Sequence, residues 1–361
     1  MKHFSLQLLF MILVSGGLWG QITPSLATDT LPKRIATVLP KSIAVRQVVP
    51  KDSPILSPII ELGRRIFFDP VLSKDKTVAC ASCHRPESGF ASNDPKAIGI
   101  GGKIGTRNSP TLFNRGFGGS SFWDGRVATL EEQVLEPISN PNELGHSVTD
   151  VLLAMGQDES YQSQFRSAFS TVKMPNKDAM KEMVTERNLS RAIATFVRSL
   201  VVADSPVDRF HRGDSGALTK IEKRGLWLFE SRGGCWQCHS GFNFSDELFH
   251  NTGVALESKS SDEGRKKVTN KPRDLRAFKT PTLRGVAVTA PYMHDGSLKT
   301  LREVVEFYNR GGNTVDPVLD RRLRPLKLEP ADVDALVALL KALSRNELNT
   351  SKDVKSQPQG K

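Results

Sequence analysis

Apolar residues recur at helical spacing through much of this chain. The periodicity predicts helices over residues 182–202, 218–230 and 330–343, the last opening with Pro330-Ala331-Asp332, where a proline suits the first turn. Two more helix starts are marked by Thr129 with Glu132 and by Thr300 with Glu303. In each, a threonine follows an Asp-Gly turn and a glutamate stands three residues on, the spacing of a capping box. Sustained strand alternation is hard to find, so the pattern predicts a mostly α protein. A different run opens the chain: Lys2, then an apolar stretch over residues 8–19, then Ser25-Leu26-Ala27. This predicts a secretory signal peptide over residues 1–27. The apolar run is short for a membrane span, and the alternative is a leader left uncleaved as an anchor.

A duplication is visible in the same pattern. A shift of 171 residues superposes Pro110-Thr111-Leu112 on Pro281-Thr282-Leu283 and Asp124-Gly125 on Asp295-Gly296. It also carries Thr129-Leu130 onto Thr300-Leu301, Glu132 onto Glu303 and Val134 onto Val305. One offset serving so many positions predicts two related domains, over residues 53–205 and 206–345, joined near residues 203–214. Residues 28–52, rich in proline and lysine, are expected to form a strap, and residues 346–361 a disordered tail. Residues 257–276 read as a charged insertion loop.

All four cysteines fall in two copies of one pentapeptide, Cys80-Ala-Ser-Cys83-His84 and Cys235-Trp-Gln-Cys238-His239. Two thiols at this spacing can each add to a vinyl group of one porphyrin while the adjacent imidazole reaches its iron. Two covalent c-type haems follow, with His84 and His239 as proximal ligands, so the two mostly helical, duplicated domains are expected to be cytochrome-c-like haem domains. The rivals are a zinc site, which needs no histidine directly after each second cysteine, and a pair of redox dithiols, which leaves both histidines unexplained. Export to a bacterial periplasm agrees with the leader. The copies differ upstream: Cys80 and Cys235 are 155 apart, and the longer first segment, residues 87–107, carries five glycines and reads as a loop over the first haem.

Charge narrows the partners only slightly. The formal net charge of +11 becomes +10 once Lys2 leaves with the leader, an excess that suits an acidic redox partner, anionic lipid or an ordinary solvated surface. Basic runs such as Arg265-Lys266-Lys267 lack interleaved aromatics, so nucleic-acid binding is not expected.

The 171-residue offset also sets Pro137 opposite Tyr308. A proline cannot ligate iron, whereas a tyrosine phenolate is a known axial donor. Near Pro137 stand Gln133 and Glu143, an amide and an ionisable carboxyl that suit a reactive open iron. The plain alternative makes Gln133 and Glu143 solvent residues and Tyr308 a core aromatic.

At these residues the chain resembles the bacterial dihaem cytochrome c peroxidases, in their MauG-like branch. The resemblance rests on Gly63-Arg64-Arg65-Ile66-Phe67-Phe68-Asp69-Pro70, Arg107-Asn108-Ser109-Pro110-Thr111-Leu112, Phe122-Trp123-Asp124-Gly125-Arg126 and Ala290-Pro291-Tyr292-Met293-His294-Asp295-Gly296. It implies that peroxide reacts at the N-terminal haem and that electrons enter through the C-terminal one. It further implies that Trp123 couples the haems, that Gln133 and Glu143 form the peroxide pocket, and that Asn108 with the carbonyls of Thr289 and Pro291 binds Ca²⁺. By the same resemblance Tyr308 is implied as the distal ligand of the second haem. In the loop, where typical members carry a histidine that caps the peroxidatic iron, this chain has Ile100. The first haem is therefore expected to be open even when ferric, with His146 as the alternative ligand.

Three functions follow as expectations. The first is a peroxidase fed by a small cytochrome c or cupredoxin. The second is a MauG-like oxidase acting on residues of a partner protein, toward which Tyr308 moves the weight. The third is a dihaem electron carrier, against which Ile100, Gln133 and Glu143 count.

Overall fold

The amphipathic stretches become two pairs of crossing helices, one pair in each half of the chain. The computed structural model describes Val49 and residues 54–170, 183–256 and 262–344. The expected leader, the strap apart from Val49, and the tail lie outside these residues, as do positions 257–261 of the insertion.

In the first half the helix Ser57–Phe68 crosses the helix Glu186–Ser199. The crossing is close because it falls on Gly63, where a Cβ would lie 1.9 Å from the Ala192 carbonyl oxygen. In the second half the helix Lys220–Glu230 crosses the helix Pro330–Ala342 at Gly225, where a Cβ would lie 2.1 Å from the Ala335 carbonyl oxygen. Each crossing anchors its own hydrophobic core. The first gathers Ile59, Phe67, Phe165, Leu189 and Phe196; the second gathers Leu228, Phe229, Leu336 and Leu339.

Both predicted capping boxes are present. Thr129 and Glu132 start the helix Leu130–Ser139, and Thr300 and Glu303 start the helix Leu301–Asn309. The first core closes at Leu200 and the second opens at Val207. Between them the expected linker contains a short helix, Pro206–His211, started by a further capping box of Ser205 and Asp208. A two-residue ladder, Phe249–His250 against Phe278–Lys279, is the one sheet among the described residues. No described helix is long and apolar enough to cross a membrane.

The duplication persists at the level of single hydrogen bonds. The Thr111 hydroxyl donates to the Gly89 carbonyl at 2.5 Å, and the Thr282 hydroxyl to the Asn243 carbonyl at 2.7 Å. Phe122 and Met293, one offset apart, both take positive φ, at 65° and 74°. The halves meet about this same relation. The Asn108 backbone N–H donates to the His294 carbonyl at 2.7 Å, and the Lys279 N–H to the Trp123 carbonyl at 2.8 Å. Since 171 residues separate both Asn108 from Lys279 and Trp123 from His294, the two bonds are mates across a pseudo-twofold axis, as in an isologous contact.

The insertion differs from expectation. Residues 262–276 hold a short helix, Lys266–Thr269, and a turn, Pro272–Asp274, and they dock on the first half. Asp262 takes a bidentate pair from Arg107 at 2.6 and 2.8 Å, and Arg265 donates to the carbonyls of Asp124 and Gly125 at 2.8 and 2.7 Å. Its charges are therefore cross-half ligands as well as solvated groups.

Alanine at Gly63 or Gly225 should cost about 1–3 kcal/mol through overpacking of the crossing. Thermal unfolding measures this as a fall in Tm; unchanged midpoints for both variants would contradict the close approach.

Candidate functional site

Each cysteine motif folds into one tight turn that leads into its histidine, and His84 lines a cavity. Cys80–Cys83 form a single helical turn and Cys235–Gln237 a 3₁₀ turn. His84 Nδ1 lies 3.0 Å from the Phe90 carbonyl and His239 Nδ1 2.8 Å from the Phe244 carbonyl. A carbonyl only accepts, so each Nδ1 carries the hydrogen and each Nε2 keeps a free lone pair, the usual support for a metal-ligating histidine. Burial lowers both imidazole pKa values, which favours the neutral, ligating form.

The rival readings of the cysteines lose ground here. Burial pushes the Cys80 and Cys235 thiols up to about 12, the reverse of the activation a redox dithiol needs. Among the described residues the two cysteine pairs do not converge on one metal-ligating group. The one such group is Cys238, Asp246 and His250. There His250 already spends both ring nitrogens, on Asp320 at 2.7 Å and Asp246 at 2.9 Å.

Cys80, Cys83 and His84 line a cavity of about 1140 Å³ together with Trp123, Gln133, Pro137 and Glu143. This is a cofactor-sized space. Gln133 and Pro137 lie one turn apart on the helix Leu130–Ser139, and Glu143 follows in the loop after it. The Asn140 amide donates to Glu143 Oε1 at 2.8 Å. Burial raises the Glu143 pKa; Asn140 and Arg126 oppose the shift, and Glu136 reinforces it. The pocket carboxyl is thus held in place by one oxygen.

The loop over this cavity is pinned to the same carboxyl segment. The Ile100 N–H donates to the Glu143 carbonyl at 2.8 Å. Gly99 sits so close that a Cβ there would be 2.1 Å from the Asn142 carbonyl oxygen. Lys96, Ala97, Gly99, Gly105 and Thr106 line the cavity, whereas neither Ile100 nor His146 does. No described imidazole besides His84 and His294 reaches its wall.

The second site has a phenol where the first has a proline. Tyr308 lies near the end of the helix Leu301–Asn309. Burial raises its pKa, the nearby Cys238 and Cys235 sulfurs add to the rise, and the Thr252 hydroxyl opposes it. The fold therefore sets Tyr308 beside the second cysteine pair, as the offset from Pro137 predicts.

Trp123 stands between the halves. Its indole N–H donates to the Asn108 carbonyl at 2.9 Å, and its ring meets that of His294 edge to face at 6.5 Å. His294 stacks on Phe278 at 3.6 Å. Burial lowers its pKa, which favours the neutral imidazole. The Asn108 amide donates to the Asp94 carbonyl at 3.0 Å, which leaves Oδ1 as its remaining acceptor. Thr289 and Pro291 flank Ala290 on the opposing half, three to five residues before the His294 carbonyl that Asn108 engages.

Several site residues are missing from the sequence reading. His294 is the offset mate of Trp123, a relation already present in the duplication. Asn140 gives no signal beyond its closeness to Glu143. Arg115 and Lys279, which also line the cavity, come from segments far apart in the chain and carry no motif.

Comparisons with known proteins agree with this geometry. A family model described as di-haem cytochrome c peroxidase matches residues 57–216. The methylamine utilization protein MauG of Methylorubrum extorquens is 35% identical, over 81% of this chain and 80% of its own length. The cytochrome c551 peroxidase of Pseudomonas aeruginosa is 34% identical, over 89% of this chain and 88% of its own. Among solved structures, a MauG-like protein associated with microbial copper homeostasis superposes with a TM-score of 0.76 at 30% identity, covering 84% of this chain and 94% of that one. The diheme peroxidase BthA from Burkholderia thailandensis superposes with a TM-score of 0.67 at 25% identity, covering 81% and 87%. Two histidines held through Nδ1 by backbone carbonyls, a cofactor-sized cavity and relatives aligned over most of their length give one conclusion: the chain is an oxidoreductase of the di-haem cytochrome c peroxidase family, which includes MauG.

Proposed function

We propose that this protein is a periplasmic c-type peroxidase that reduces hydrogen peroxide to water at its N-terminal haem, with electrons arriving through the C-terminal haem from a small cytochrome c or cupredoxin. Each half is a haem domain in this reading, divided near residues 205 and 206. The observation that carries it is the first cavity, which Gln133 and Glu143 line together with His84 and to which the loop segment contributes no imidazole.

Cys80, Cys83 and His84 would hold one haem, and Cys235, Cys238, His239 and Tyr308 the other, through thioether bonds and axial ligation. Once bound, the haems would supply peroxide binding at the first iron and, between them, the two electrons that break the O–O bond. Glu143 has one oxygen fixed by Asn140 and uses the other to carry a proton from the near to the far peroxide oxygen, while the Gln133 amide orients the molecule. Proton transfer of this type contributes about 10² to 10⁴ in rate. Trp123 lies on the route between the halves. Asn108, with the carbonyls of Thr289 and Pro291, offers the neutral oxygen donors that suit Ca²⁺.

Tyr308 favours a second reading, a MauG-like oxidase that withdraws electrons from residues of a partner protein. A phenolate oxygen stabilises ferric iron and lowers the reduction potential, which makes electron uptake from an ordinary cytochrome c less favourable. Peroxide consumption followed with and without reduced cytochrome c separates the two. Sustained turnover with the donor is expected; a long-lived oxidised spectrum without turnover would favour the oxidase.

Glu143→Gln should slow peroxide consumption about 10²-fold or more with both haems retained. Wild-type activity should rise with pH through a midpoint above the ordinary carboxyl range of about 4, because burial raises this group and its base form is required. An unaltered rate and pH profile in the variant would remove Glu143 from the reaction. Tyr308→Met should raise the potential of the C-terminal haem in a spectroelectrochemical titration; an unchanged potential would remove Tyr308 from its ligands.

A further inference from the structure

Two cations from opposite halves converge on the wall of the N-terminal cavity. Arg115, from the first half, and Lys279, from the second, both line it. Both also donate to one acceptor, the Ser120 carbonyl, at 2.8 Å from Arg115 Nη2 and 2.5 Å from Lys279 Nζ. Among the described residues one carboxylate lies within ion-pair distance of either: Glu247, 2.9 Å from Arg115 and 3.6 Å from Lys279. The next acid, Asp124, is held by Arg107 and Arg126.

Two positive charges therefore face one negative charge in a buried setting, with the Lys279 side chain 8% exposed. Removing a charge from water costs several kcal/mol unless a counter-charge compensates. Desolvation, then the neighbouring Arg115, pull the Lys279 pKa down to about 7, as expected for an ammonium short of a partner. A haem brings two carboxylates into this cavity. Vinyl and propionate groups occupy opposite edges of the porphyrin, so attachment at Cys80 and Cys83 turns the propionates away from those sulfurs.

We propose that Lys279, together with Arg115, binds a propionate carboxylate of the N-terminal haem, so that the C-terminal half completes the N-terminal cofactor site. The inference rests on reading this cavity as a haem site. It adds a residue that ties two elements together: the Lys279 N–H holds the Trp123 carbonyl while its ammonium holds the haem edge. Docking of the halves, the setting of Trp123 and the electrostatics of the first haem then depend on one side chain.

The test uses the full, haem-loaded chain as wild type, Lys279→Met, Lys279→Arg and Glu247→Gln. A count of haems per chain comes first; fewer than two in the wild type would sink the haem reading itself. The propionate-bending bands in resonance Raman spectra and the potential of the N-terminal haem then test Lys279. Lys279→Met should shift a propionate band and lower the potential, because a positive charge near the iron is lost, and Lys279→Arg should restore both. Glu247→Gln should raise the potential, because a negative charge is lost. Bands and potential unchanged in Lys279→Met would overturn the proposal, as would a fall in potential in both Lys279→Met and Glu247→Gln. Should Lys279→Met fail to load haem, Glu247→Gln decides alone: a raised potential supports the assignment and an unchanged one overturns it.

Discussion

Two backbone hydrogen bonds across the junction of the halves, Asn108 N–H to the His294 carbonyl and Lys279 N–H to the Trp123 carbonyl, set the geometry on which the rest depends. Each is worth only about 0.5–1.5 kcal/mol net. Their importance is register: leaving either donor unpaired in the buried junction would cost the full desolvation of the group, so the halves have one way to meet. Because the bonds are mates across a pseudo-twofold axis, they bring equivalent positions of both halves to the centre. Trp123 and His294 occupy it, and the glycines of the two Asp-Gly turns pack closely against the opposite half. A Cβ at Gly125 would meet the Phe249 ring at 2.3 Å, and one at Gly296 would meet Pro95 at 2.4 Å.

On this symmetric frame the two sites are made unequal by few residues. The helices after the capping boxes are equivalent, yet one carries Pro137 and the other Tyr308 at the same position. The first half adds a glycine-bearing loop whose Gly99 and Ile100 press against the Glu143 segment. The second adds the insertion that reaches back to Arg107 and Asp124. A cavity lined by Gln133 and Glu143 in one half and a buried phenol beside the cysteine pair in the other follow from substitutions and loops, with the helix crossings left intact.

Much of this was legible in the sequence because it is local or repeated. The capping boxes at Thr129 and Thr300 depend on residues three apart, the histidine motifs on five consecutive residues, and the duplication on one offset. What depends on long-range packing was not legible. Asp262 and Arg265 read only as part of a charged insertion loop, but they find partners in Arg107 and the Asp124 carbonyl more than 130 residues away. The helix Pro206–His211 was missed where its capping box sat inside a supposed linker. Arg115 and Lys279 carry no motif, since their meaning is the burial of unequal charge, which appears only when both halves have folded together. His294 lay within reach, being the offset mate of Trp123.

The two proposed iron sites differ on equivalent frames, and the proposal turns on that inequality, with one face open above Gln133 and Glu143 and the other closed by Tyr308. Electron paramagnetic resonance of the fully ferric, haem-loaded protein tests it most directly. One high-spin and one low-spin haem are predicted. Two low-spin signals, meaning that both irons carry ligands on both faces before any oxidant is added, would contradict the account.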